Sequence, residues 1–213
     1  MKQINLHGMI CLEPIRGSGD FWFFATNYLN GDLYEAEEIF NQGKEVVSNR
    51  LLLVRYPEGI VYEPLRPAEN NYFGSPIYDN GAIILLNVHF SERRIRITRF
   101  DLNTKETSVL TELPLSAVND CYNLMLHKSP LMLTRQSAEN YFEIIWPEQV
   151  EFKIHPRESF VYRENDKLYF SMWHEDPDYR EEIIVRSLQD GQMIEKYSGS
   201  MKEMPNGEWW HLK

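Results

Sequence analysis

Four anchors, Tyr56, Phe100, Trp146 and Leu188, stand at intervals of 44, 46 and 42 residues. Each closes a short strand-like run, passes a turn and opens another run. RYPEGIVYEP (Arg55 to Pro64) and IWPEQVEFKI (Ile145 to Ile154) share the order aromatic-Pro-Glu-x-(Ile/Val)-x-aromatic. IRITRFDLNTKETSVL and EIIVRSLQDGQMIEKY place Phe100 and Leu188 in matching positions. A unit of this size cannot bury both of its own faces, so neighbouring units must stack on one another. That requirement rules out most folds before any single residue is considered.

The segments between the anchors agree. Phe21–Ala25, Leu51–Tyr56, Ala82–Phe90, Ile95–Phe100, Tyr141–Trp146, Lys167–Trp173 and Glu182–Leu188 are short and rich in β-branched and aromatic residues, as strands are. Asn30-Gly31, Asp79-Asn80-Gly81, Asp190-Gly191 and Asn206-Gly207 supply turns. A second apolar series begins near Phe21, Ile83, Tyr122 and Leu168, at intervals of 62, 39 and 46 residues. The first interval leaves about twenty extra residues, including Asp32–Gly43. Asp32 with Glu35 and Gly43 fits a capped short helix. A strand followed by an Asn-Gln-Gly turn fits equally well.

A period of about 44 residues with up to four strands per unit resembles a β-propeller blade. The expected fold is therefore all-β, with about four, at most five, antiparallel blade-like repeats. The repeats run roughly over 20–73, 74–116, 117–160 and 161–200 of a single domain, 1–213. Segments 1–19 and 201–213 are left to close it, as propellers of this family close by pairing their ends. Ile4–Leu12 and Trp209–Leu212 are the apolar stretches for that pairing. No Gly-His…Trp-Asp pair or kelch double glycine marks a subfamily, and an evenly spaced sandwich or barrel is the alternative.

Twenty-two basic against 32 acidic side chains give a formal charge of −10, which repels phosphate backbones. Arg93, Arg94, Arg96 and Arg99 are the local exception. Arg94 and Arg96 share a strand face opposite Ile95 and Ile97, as on a solvated half-buried strand. Nucleic acid is not an expected partner. Cys11 and Cys121 form no CxxC pair, which fits a reducing compartment. No apolar run has the length of a signal or membrane-spanning segment. The expectation is a cytoplasmic protein without a membrane contact.

Catalytic signatures are missing. The six histidines, His7, His89, His127, His155, His174 and His211, form no HExxH pair. His174, Asp176 and Asp178 form the densest set of possible ligands, yet successive loop residues seldom face one ion, so neither metal nor cofactor is expected. Gly17-Ser18-Gly19 precedes a strand and so lacks the helix N-terminus of a phosphate cradle. Asp20, Asp79, Asp120 and Asp166 each lie one to four residues before an apolar run. The propeller resemblance implies that such runs line a central channel and that glycosidases of this architecture carry acid and base groups there. Aspartate is also a favoured turn residue. Trp22, Trp173, Trp209 and Trp210 are candidate stacking or docking residues. The expected role is a binding or scaffold module for a protein or small ligand. The alternative is a glycoside hydrolase or carbohydrate-binding propeller that uses the aspartates.

Overall fold

The computed structural model describes residues 1–27 and 29–213. The described residues are all-β apart from one α-helix and one 3-10 turn, and the chain divides into two compact units, Met1–Leu126 and His127–Lys213. Four successive antiparallel sheets form blade-like repeats of the propeller kind.

In the first unit, β1 (Glu13–Pro14), β2 (Trp22–Thr26), β3 (Leu51–Arg55) and β4 (Ile60–Tyr62) pair in sequence order. Helix α1 (Leu33–Asn41) is inserted between β2 and β3, which nonetheless pair directly from Trp22↔Arg55 to Thr26↔Leu51. The helical alternative for Asp32–Gly43 is the correct one. Asp32 is the N-cap, its Oδ1 accepts from Glu35 N at 2.9 Å, and Glu35 Oε2 accepts from Asp32 N at 2.9 Å. Two otherwise orphaned donors are thereby satisfied.

The second sheet contains β5 (Asn71–Phe73), β6 (Ile77–Asp79), β7 (Ala82–His89), β8 (Arg94–Asp101) and β9 (Thr107–Pro114). β5 and β6 lie along the same edge of β7, one against each half, and β8 and β9 follow on the other side. Asn80 and Gly81, both at positive φ, make the two-residue hairpin turn that joins β6 to β7. Trp22, Phe24, Leu51 and Leu53 of the first sheet pack with Phe73, Ile83, Leu85 and Phe100 of the second. Fully burying each such side chain is worth about 1.5–3 kcal/mol.

The unit boundary falls inside β10 (Met125–His127), which begins the third sheet with β11 (Met132–Gln136), β12 (Tyr141–Trp146) and β13 (Val150–Lys153). The fourth sheet is β14 (Glu158–Glu164), β15 (Lys167–His174), β16 (Arg180–Ser187) and β17 (Met193–Ser198). Phe142, Phe152, Phe160 and Phe170 interlock, with Phe142 and Phe170 edge to face at 5.1 Å. Two ion pairs are buried beside this core. Arg135 on β11 faces Glu143 on β12 at 2.6 Å, and Arg186 grips both oxygens of Glu158 at 2.8 Å.

A hairpin of β18 (Ser200–Glu203) and β19 (Trp209–Leu212) ends the chain. The strand partner of Trp209–Leu212 is thus Ser200–Glu203, and residues 1–12 contain no strand.

The anchors Tyr56, Phe100, Trp146 and Leu188 lie at the ends of β3, β8, β12 and β16, the third strands of the four sheets, where the repeat placed them. The second series needs correction. The runs at Phe21, Ile83 and Leu168 belong to β2, β7 and β15, which are second strands. Tyr122 precedes a first strand, and the true equivalent there is β11. Second strands are paired along both edges.

Candidate ligand-binding cavity

A cavity of about 460 Å³ opens in the first unit, a volume typical of small-molecule sites. β1 supplies Glu13 and Pro14. Phe73, Gly74, Pro76 and Ile77 come from the β5–β6 connection, Asp32 and Leu33 from the start of α1, and Cys121, Asn123, Leu124, Met125 and Leu126 from the segment leading into β10.

The helix sets two of these walls. Leu33, Ala36 and Glu37 form its buried face. Glu37 is 8% exposed, and its Oε2 accepts from the backbone N–H of Cys121 at 2.6 Å. This charge-assisted bond ties the 118–124 loop to the helix. The rings of Tyr34 and Tyr122 meet edge to face at 5.4 Å and reinforce the tie. The Glu38 carboxylate beside Tyr34 pushes the tyrosine hydroxyl above its ordinary range. Gly74 lets the helix approach: a Cβ there would lie 2.9 Å from Leu33 Cδ1 and 3.1 Å from Leu86 Cδ2.

Apolar side chains dominate the cavity wall, and Glu13, Arg16, Asp32 and Asn123 give it a few polar groups. Asp32 is already committed as the helix cap. Such a lining holds an apolar body by desolvation and orients it through a small number of polar contacts.

None of the four aspartates lines this cavity. Asp20, at φ +62, is an exposed turn residue before β2. Asp79 ends β6 and its Oδ2 accepts from Asn80 Nδ2 at 3.1 Å. Asp120 lies in the loop beside Tyr122 and its Oδ1 accepts from Tyr122 N at 2.9 Å. Asp166 is an exposed hairpin residue between β14 and β15. Asp20, Asp79 and Asp166 therefore stand in the turns that join first to second strands.

The tryptophans divide in role. Trp22 is 4% exposed and belongs to the core, with Lys105 Nζ at 5.6 Å from its ring centre. Trp173 is half-exposed beneath the Arg157 guanidinium at 5.4 Å. Trp209 lies flat on Tyr162 at 4.5 Å, and Tyr162 in turn stacks on Tyr169 at 4.4 Å. Burial in this stack pushes the Tyr162 hydroxyl well above its ordinary range. Trp210 faces solvent, with Leu212 two residues along.

His174 Nε2 is 2.7 Å from Glu182, which also binds Lys196 at 2.8 Å. Lys196 and His174 together hold the Glu182 carboxyl below the usual range. Asp176 and Asp178 remain exposed in the loop. Among the described residues, no group of three His, Cys, Asp or Glu side chains is placed to hold a metal ion. Ser18 closes its own turn, its Oγ donating to Trp22 O and accepting from Trp22 N. No described helix is long and apolar enough to cross a membrane.

No family model and no curated protein matches the chain. Among solved structures it is similar to the β-propeller domain of the Trilobed protease from Pyrococcus furiosus, at 16% identity and a TM-score of 0.46 over 92% of this chain. The chain spans 60% of that structure's length. It is also similar to a candidate 6-phosphogluconolactonase from Bacteroides uniformis, at 9% identity and a TM-score of 0.36, covering 91% of this chain and 74% of that one.

Proposed function

We propose that this chain is a binding module that takes a small ligand with an apolar body and a single polar head into the cavity beside helix α1. The observation that supports the reading is the cavity itself: about 460 Å³, walled by Leu33, Phe73, Ile77, Leu124 and Leu126, with charged groups confined to a few positions. Its walls are secured by the helix cap and the Glu37–Cys121 bond rather than left to side-chain mobility. Preorganisation of this kind reduces the entropy lost on binding. Two cysteines without a disulfide suit work in the reducing cytoplasm.

The test uses three ring-matched probes, benzamidine, benzyl alcohol and benzoate, followed by saturation-transfer NMR. Met125 lines the cavity and is 45% exposed, so Met125→Trp fills the space without disturbing the core. Wild type is expected to bind at least one probe, and Met125→Trp to lose it. Failure of all three, or binding unchanged by Met125→Trp, overturns the reading.

A further inference from the structure

We propose that the polar end of the second sheet is a separate site for a small, uncharged, polyhydroxylated molecule such as a monosaccharide or cyclitol. One face of that sheet changes character along its length. On β7 it runs Ile83, Leu85, Asn87, His89, and on β8 it runs Phe100, Thr98, Arg96, Arg94, with Ile83 opposite Phe100 and Asn87 opposite Arg96. The Ile83 end belongs to the apolar core. The other end forms the floor of a cleft of about 360 Å³, roofed by Leu65, Arg66 and Ala68 of the loop between β4 and β5.

Polar side chains buried in that floor are costly unless they are hydrogen-bonded. Asn71, Asn87 and Thr98 are 6%, 4% and 3% exposed. Asn87 Nδ2 donates to Asn71 Oδ1 and reaches Tyr72 O at 3.4 Å, which fixes the orientation of both amides. That arrangement leaves Asn87 Oδ1 as an acceptor and Asn71 Nδ2 as a donor. The Thr98 hydroxyl lines the cleft and has no hydrogen-bond partner among the described residues. Glu92 and Arg96 are bound to each other at 2.9 Å, and Arg96 also to Glu112 at 2.5 Å. The charges of Glu92, Arg96 and Glu112 are thereby met within the protein and Arg66 on the roof adds guanidinium donors, so the buried floor asks for neutral donors and acceptors side by side. Vicinal hydroxyls supply both. The site shares no lining residue with the cavity beside α1.

Calorimetric titration with myo-inositol and D-glucose, with cyclohexanol as the monohydroxylated control, tests the assignment on wild type and Thr98→Val. Valine keeps the shape of threonine, and the hydroxyl has no protein bond to lose. The melting temperature of Thr98→Val is therefore expected to hold, while affinity for the polyol falls at least about tenfold. Amide shifts on adding polyol are expected in β7, β8 and the 63–70 loop. The proposal is overturned if neither polyol binds, if cyclohexanol binds equally, if Thr98→Val binds as wild type does, or if that variant melts lower because the hydroxyl is structural.

Discussion

Replacing Arg135 by methionine removes a charge from the interior of the second unit while keeping the length of the side chain. Arg135 is 2% exposed and Glu143 is 8% exposed. At their 2.6 Å separation the attraction is about 6 kcal/mol with an effective dielectric of about 20. Desolvating the two ions costs several kcal/mol each, so the intact pair adds little net stability. The asymmetry lies in removing one partner, because the Glu143 carboxylate then stays buried without the guanidinium. That costs about 3–5 kcal/mol. For a chain of this length the melting temperature should fall by roughly 6–20 °C. Glu143→Leu alone should cost a similar amount by taking that carboxylate away from the buried Arg135 guanidinium. The double variant should recover at least about 2 kcal/mol relative to the sum of the singles. Urea unfolding followed by tryptophan fluorescence, together with thermal circular dichroism, measures all four corners of the cycle. Single variants within about 1 kcal/mol of wild type, or a strictly additive double variant, would refute the reasoning.

Two further outcomes follow from local geometry. Gly199 sits at φ +110, where a Cβ would lie 2.0 Å from the backbone oxygen of Leu212. Gly199→Ala is expected to unseat the β18–β19 hairpin and release Trp209 from Tyr162, read as a loss of near-ultraviolet dichroism; an unchanged spectrum would contradict this. Arg50, hydrogen-bonded to Glu63 at 2.6 and 2.8 Å, holds that carboxyl below its ordinary range. A depressed folded-state pKa gives stability that is present above the unfolded value of about 4.3 and lost as pH falls through the lower folded value. The urea midpoint of Arg50→Gln should therefore trail wild type at neutral pH and converge with it in acid. A gap that persists at low pH would mean the effect is not ionic.

Third-to-fourth strand hairpins were legible because their turns and aromatic anchors are local signals. Apart from β10, which the apolar run near Tyr122 leads into, first strands were not. β1 is two residues long, and the edge of β7 is shared by the three-residue β5 and β6, too short for any apolar period to register. The apolar second strands β2, β7 and β15 therefore stood in for them, with Asp20, Asp79 and Asp166 in or beside the turns that precede them. Helix α1 was half legible, since Asp32 and Glu35 carry the capping pattern while nine residues are too few to exclude a strand. The cavity was not legible. Glu37 reads as one of three glutamates on a surface helix, and its bond to Cys121 spans 84 positions. The soluble-looking Arg94–Arg96 pattern concealed a different fact: the same face carries Thr98 and Asn87 into the interior.

β2 and β3 pair residue for residue, although the connection between them runs from 27 to 50. Lengthening a flexible connection from two residues to about 24 costs only about 2 kcal/mol in closure entropy. The ladder is therefore indifferent to what its loop contains, and here the loop contains the helix that walls the cavity. Scaffold and specificity are thus written in separable parts of the chain. Changing the insertion would alter what the cavity accepts while the blade beneath it stays as it is.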